Sequence, residues 1–376
     1  YQYIAREYPK EIKWDKDLIK LFSLDIETAT ENGFPNIEEA NEEILLITIK
    51  DNHHKQIVTF GTREYTNTRE DARYIKSVDE SMMLRTFIDF WQRNCPDVIT
   101  GWNINGFDIP YLVNRIRLLL GDDAVQKLSP WNLVNDKKMY VNGKDIKGYS
   151  FVGISTLDYL ELYKKFTYTN HESYRLDYIA QYELGSKKLE NPFETFKEFY
   201  TEDWDKFVKY NIHDVELVDQ LEDKMKLIEL VYTMAYNAKI NFEDVYSPVR
   251  MWDVIIYNYL RDRNIVIPLK EDNTKSEAFE GAYVKDPLVG QHKWVASFDL
   301  NSLYPHLIMQ YNMSPETLSD TRLDLNVEKL LNNEPIDIAK IAGLSVTANG
   351  WCYKKDTKGF LPALMEEMYN LSLIHI

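Results

Sequence analysis

One segment restricts the fold more than any other. Residues 18–29 read LIKLFSLDIETA, an apolar run that fits a strand of a buried sheet. Side chains alternate across a strand, so Leu24 and Ile26 take one face while Asp25 and Glu27 take the other. The apolar face must be covered by another layer. The acid face sets two carboxylates side by side, and each raises the other's pKa unless a cation stands between them. Oxygen-rich sites of this kind suit Mg2+ or Mn2+. Taken alone, the Asp-x-Glu pair also suits a solvated strand edge.

The segments downstream set the class. ILLITIKD and KQIVTFGT, after an acidic loop, predict two further strands and a three-stranded meander. SVDESMMLRTFIDFWQRN has helical spacing, with Ser77 and Glu80 as a capping box. CPDVITGWN is a short β-rich run, and FDIPYLVNRIRLLLG a helix with Pro110 in its first turn and Gly121 at its end. Asn142-Gly143 between alternating residues predicts a hairpin. ISTLDYLELYKKF carries a strand into a helix, and SYRLDYIAQYELG is another helix. The stretch from Trp204 to Lys239 predicts one long helix, and VRMWDVIIYNYLRDRN a further one. Strands followed by helices indicate α/β for residues 20–230. The polar loop PLKEDNTKSEAFEG is the expected domain boundary, and GAYVKDP and WVASFDL are expected strands beyond it.

Two more acids stand at junctions of this α/β unit. Asp108 follows the turn-forming NING and precedes a helix, where a capping role is equally open. Tyr210 and Asp214 are four apart on a helix and share a face, as they would on a solvated acidic helix. The net charge of -16 argues against a general nucleic-acid coat. It leaves room for an enzyme that holds divalent cations with carboxylates and meets DNA through local patches. The two cysteines, Cys95 and Cys352, form neither a disulfide framework nor a zinc spacing and fit a reduced, cytosolic setting. No apolar run approaches the ~20 residues of a membrane span.

Together, Asp-x-Glu on an early strand, Asn-x-x-x-Phe-Asp before a helix and Tyr-x-x-x-Asp on a late helix occur in one order. That order resembles the proofreading 3'–5' exonuclease domain of family B DNA polymerases, an RNase H-like fold. The resemblance implies that Asp25, Glu27, Asp108 and Asp214 hold two Mg2+ (or Mn2+) ions and that Tyr210 orients the attacking water. It implies single-stranded 3' ends as substrate, gripped by aromatic side chains such as Phe107. It also implies a hairpin around Asn142-Gly143 that parts primer from template.

Downstream, SFDLNSLYPHL resembles motif A of the same family's polymerase palm. The resemblance makes Asp299 a catalytic metal ligand helped by the Leu300 carbonyl. Ser302 and Leu303 approach the triphosphate, and Tyr304 excludes a ribose 2'-OH. His306 stands where the family commonly has Ser. FEGAYVKDP resembles the family's linker to the palm, which brings Gly281, Ala282 and Tyr283 to template DNA. The segments LDYLELYKKFTYTNHESYRLDYI and YSPVRMWDVIIYNYL fit the polymerases of T-even-type bacteriophages, which implies action in a bacterial host's cytoplasm.

The expected fold is therefore α/β: an RNase H-like exonuclease domain followed by an incomplete α+β palm. The expected organisation is residues 1–20 as a remnant of an N-terminal domain, 21–229 the exonuclease, 230–278 a helical connection packing with that N-terminal domain, and 279–370 the start of the palm. The second palm acid motif, Asp-Thr-Asp, and the fingers helix are not in the sequence. A fragment of a DNA-directed DNA polymerase is expected, with templated synthesis by the full-length parent only; a stand-alone exonuclease and an inactive RNase H-like DNA-binding module are the alternatives. The implied partners are primer–template DNA, deoxynucleoside triphosphates for the parent, and a sliding clamp that binds a C-terminal tail this chain lacks. Leu371–Ile376, LSLIHI, matches a translation of a transposon-end sequencing adapter. It is expected to be a scar without helical continuation.

Overall fold

The computed structural model describes residues 2–10, 12–31, 33–141, 144–267, 283–335 and 341–375. It divides into two compact units, Tyr1–Leu269 and Lys270–Ile376.

The first unit opens with a short helix, α1 (Gln2–Glu7), and then forms a mixed sheet. Strands β1 (Leu21–Thr28), β2 (Ile44–Asp51) and β3 (Gln56–Gly61) are the expected meander, each antiparallel to the next. β4 (Ala72–Lys76) adds in parallel at the edge beside β3. On the other side of β1, β5 (Val98–Gly101) and β8 (Ser155–Asp158) run parallel to it, giving the order β4-β3-β2-β1-β5-β8. Strand order therefore reverses at β1, which makes its C-terminal end the switch point where open α/β sheets place their sites.

Helices cover both faces. Phe22, Leu24 and Ile26 pack with α2 (Glu80–Asn94) and α3 (Asp108–Leu120) in one core. Ala29, Leu46 and Ile57 meet α7 (Phe196–Glu202) and α8 (Trp204–Met225) in another. A third core joins the β1, β5 and β8 ends to α5 (Tyr159–Phe166), α6 (Leu176–Leu184), α8 and α9 (Leu227–Ala238). A short α4 (Asp122–Gln126) follows α3, and α10 (Pro248–Arg261) ends the unit's described helices. β6 (Val134–Val141) and β7 (Lys144–Phe151) pair antiparallel as the expected hairpin; Asn142 and Gly143, where its turn is expected, lie outside the described residues.

Three local expectations are corrected. α2 is capped by Asp79, whose side chain accepts the Met82 N–H, and not by Ser77. Glu80 is unavailable for a capping box because it pairs with Arg115 and accepts the Ile44 N–H at 2.7 Å. The long helix from Trp204 breaks at Lys226, which adopts a left-handed φ of 57°. The Glu222 carboxylate then accepts the Ile228 and Glu229 N–H groups, so α9 starts on a cap supplied by α8.

The second unit contains α11 (Leu303–Tyr311), β9 (Leu318–Arg322), α12 (Val327–Leu331), β10 (Leu344–Val346), β11 (Trp351–Lys354) and α13 (Phe360–His375), with sheet order β10-β11-β9. The strand expected over WVASFDL is absent, and so, among its described residues, is that over GAYVKDP. A strand needs a neighbour to take its backbone groups, and Trp294, Val295 and Phe298 are exposed. α13 continues to His375, against the expectation that LSLIHI would not extend a helix; no Gly or Pro there interrupts it. Among the described residues, no helix is long and apolar enough to cross a membrane.

Candidate active site

The site forms where β1 loses its neighbour. β1 pairs with β5 only from Leu21↔Val98 to Ser23↔Thr100. β5 then ends at Gly101, where an added Cβ would lie 2.4 Å from the Leu24 carbonyl oxygen. That approach excludes any larger residue. The chain turns through Asn103, in a left-handed conformation (φ 62°), and the buried Asp158 carboxylate accepts the Asn103 and Asn105 N–H groups at 3.1 and 2.9 Å. So held, the loop delivers Asp108 as the first residue of α3. Its Oδ1 accepts the Ile26 N–H at 3.0 Å, a donor that β5 no longer reaches.

Asp25 and Glu27 point away from the α2/α3 core toward α8. One ligand oxygen from each of Asp25, Glu27 and Asp214 lies within 4.8 Å of the others. Asp214 is buried, and its Oδ1 has no hydrogen-bond partner. A buried carboxylate oxygen without a donor is costly in a finished protein. Hard oxygen donors gathered in this way fit a divalent cation such as Mg2+ or Mn2+.

The electrostatics agree. Burial, then the charges of Asp108, Glu27 and Asp214, push Asp25 well above the usual carboxylate range. Burial and the Asp214 charge push Glu27 up to about 8. Burial pushes Asp108 up to about 7 although the Ile26 N–H opposes it. Asp214 is also raised by burial, against the pull of Lys188. Four carboxyls that resist ionisation together call for positive charge between them.

The protein supplies one such charge. Lys188, from the loop between α6 and α7, pairs with Asp214 and lies 3.4 Å from the Tyr210 hydroxyl. Burial works against its ammonium, but Asp214 and the neighbouring Tyr210 and Asp25 hold its pKa above the ordinary lysine value. Tyr210 is itself raised by burial and by Asp214, so its hydroxyl keeps its proton. At the mouth, Phe34 lies 5.7 Å from Phe107, which stacks on Tyr111. Phe34 is 85% exposed, an open phenyl face beside Phe107, the residue before Asp108.

A model of the DNA polymerase family B exonuclease domain matches residues 2–179, and one of DNA polymerase family B matches residues 249–370. The DNA-directed DNA polymerases of Escherichia phage RB69 and Enterobacteria phage T4 are 34% and 33% identical to it over 98% of the chain. The chain belongs to DNA polymerase family B. It spans 43% of the length of those two relatives. DNA polymerase 1 of Sulfolobus acidocaldarius is similar at 29% identity over 80% of the chain and 35% of that relative.

In this family B chain the structure brings Asp25, Glu27, Asp108, Tyr210 and Asp214 together from three segments, β1, α3 and α8, with Asp25, Glu27 and Asp214 as the three-ligand cluster and Asp108 beside it on the Ile26 N–H. Lys188, Asn211 and Phe34 are additions that sequence reasoning missed. Asn211 lies between Tyr210 and Asp214 on α8, and Phe34 inside the acidic loop; only contacts across the fold distinguish them. Asp299, Leu300, Ser302, Leu303 and Tyr304 belong to the second unit. Asp299 is exposed in an irregular stretch, Ser302 is left-handed (φ 54°), and Leu303 and Tyr304 begin α11. His306 Nδ1–H donates to the Ser302 carbonyl at 2.9 Å, and its ring meets Tyr369 edge-on. Tyr283 is exposed; Gly281 and Ala282 lie outside the described residues.

Proposed function

We propose that the first unit is a 3'–5' exonuclease of RNase H-like fold and that the second begins the polymerase palm of a DNA-directed DNA polymerase. The proposed bounds are 21–229 for the exonuclease and 279–370 for the palm, with 230–278 connecting them. The RNase H-like reading is supported by the order β3-β2-β1-β5-β8 with β2 antiparallel to the rest. The observation that carries the nuclease reading is the meeting of Asp25, Glu27 and Asp214 around an unpartnered buried oxygen.

In this reading Asp25, Glu27, Asp108 and Asp214 hold two divalent cations, Mg2+ or Mn2+. When bound, such cations make water a competent nucleophile near neutral pH and neutralise charge at the leaving 3'-oxygen. The Tyr210 hydroxyl orients the attacking water, and it can do so because it stays protonated. The water oxygen bonds to phosphorus, the P–O3' bond breaks, and the 3'-oxygen takes a proton as the terminal nucleotide leaves with its 5'-phosphate. Lys188 favours the ionised form of Asp214 against the effect of burial and adds fixed positive charge. Phe34 and Phe107 offer ring faces to an unpaired terminal base, which favours single-stranded ends. The hairpin β6–β7 parts a primer end from its template.

Templated synthesis from deoxynucleoside triphosphates is proposed for the whole protein, with Asp299 as a metal ligand and Tyr304 as the sugar gate. The family match over residues 249–370 favours this over a stand-alone exonuclease. Digestion of a 3'-labelled single-stranded oligonucleotide, with Mg2+ and with EDTA, tests the nuclease.

A further inference from the structure

Behind Asp25 lies a line of polar side chains that the cation site does not use. Asn211 Nδ2 donates to Asp25 Oδ2 at 2.6 Å. Asn211 Oδ1 accepts the Thr48 hydroxyl, and Thr48 Oγ1 lies 2.9 Å from Thr59 Oγ1. Asn211 and Thr48 are 0% exposed and Thr59 1%, so water does not share these bonds. Buried polar groups in a β2–β3–α8 core are expensive unless each is satisfied, and an apolar trio would fill the same space.

The donors can run in one direction only. The form of Asp25 that holds a cation is the carboxylate, which only accepts hydrogen bonds. The Asn211 amide must therefore turn its NH2 to Asp25 and its carbonyl to Thr48. That carbonyl requires the Thr48 proton. Thr48 has no second proton, so the Thr59 hydroxyl donates to it.

We propose that Thr59, Thr48 and Asn211 form a directional hydrogen-bond relay that fixes Asp25 with Oδ2 held from behind and Oδ1 left for the cation. The proposal rests on the reading of the acid cluster as a cation site. Asn211 is then a positioning residue: its side chain sets the angle of a ligand. Thr48 and Thr59 set the orientation of Asn211. Partners of ligating groups commonly matter about 10–100-fold in metal affinity.

Calorimetric titration of the full 376-residue chain with Mn2+ tests the relay, with thermal melts to confirm folding. T48V keeps the shape of Thr48 and removes only its hydroxyl. It is expected to weaken Mn2+ binding roughly tenfold or more, and T48S to restore it. N211A should weaken binding at least as much as T48V, and T59V less than either. D25A/E27A supplies the reference for loss of the cluster. If that variant loses Mn2+ while T48V binds as tightly as the unaltered chain, the relay is wrong and the cation site stands. If T48V and T48S weaken binding equally, the hydroxyl is not the cause and the relay is also wrong. If D25A/E27A binds Mn2+ like the unaltered chain, both readings fall. The T48V and T48S pair decides the matter even if N211A does not fold.

Discussion

The Asp108 carboxylate accepts the backbone N–H of Ile26 at 3.0 Å, across 82 positions of sequence. Ile26 stands between Asp25 and Glu27, so this one bond brings the start of α3 into the acid pair of β1. It exists because β5 stops at Gly101 and leaves the Ile26 donor open.

Gly101 should therefore be intolerant of a side chain. In G101A the new methyl would sit 2.4 Å from the Leu24 carbonyl. β1 and β5 must part, at an expected cost of about 1–3 kcal/mol. Because the Asp108 loop starts there, nuclease rate should fall by more than stability does. Thermal melts and single-turnover rates on the same preparation measure both.

Metal-free stability should depend on pH in an unusual direction. Glu27 is raised from 4.5 to about 8 and Asp108 from 3.8 to about 7 in the folded state. Between those limits the folded chain binds more protons than the unfolded chain, so stability falls as pH rises. The metal-free melting temperature should drop from pH 5 to pH 8 by this contribution, and added Mg2+ should recover more at pH 8 than at pH 5. Differential scanning calorimetry with EDTA and with Mg2+ would reveal a flat or rising profile if the carboxyls are not clustered as described.

E27Q should separate stability from activity. It replaces a carboxyl that must ionise as pH rises through about 8 with a neutral amide, so it should raise the metal-free melting temperature at pH 9 and change it little at pH 5. It should also weaken Mn2+ binding and lower nuclease rate by about tenfold or more. A variant that is both less stable without metal and fully active would contradict the electrostatic reading.

Lys188 is expected to act through Asp214 and Tyr210. K188A leaves Asp214 without its ion-pair partner. Nuclease rate should fall roughly 10–100-fold, and the rate should recover partly in K188R, which keeps the charge. Equal losses in both variants would point to packing instead.

Phe34 should affect binding of the strand more than chemistry. F34A removes an exposed ring face, and stacking is worth about 1–3 kcal/mol per base, roughly 5–150-fold in affinity. KM for single-stranded oligonucleotides should rise with little change in kcat. An unchanged KM would remove Phe34 from the base grip.

Much of the fold was legible because its signals are local. The alternation in LFSLDIET, the Asn142-Gly143 turn signal and Gly121 after α3 each work within a few residues. The misses are long-range. Lys226 breaks a strong helical pattern because Glu222 caps the next helix. Glu80 serves Arg115 and Ile44 rather than its own N-terminus. The apolar run at Trp294–Leu300 meets the strand pattern and forms no strand, because no neighbour among the described residues pairs with it. In the site, the acids were visible by order and spacing, whereas Lys188 and Asn211 have no motif of their own. They are identified only by what they touch after folding.

The central claim is that Asp25, Glu27, Asp108 and Asp214 together form a divalent-cation nuclease site. The most direct test is release of nucleotide from a 3'-labelled single-stranded oligonucleotide by the purified chain with Mg2+. Labelled mononucleotide should be released from the 3' end, with none in EDTA and none from a folded D25A/E27A double variant. Digestion by that variant at the unaltered rate, or none by the unaltered chain with Mg2+ or Mn2+, would contradict the claim.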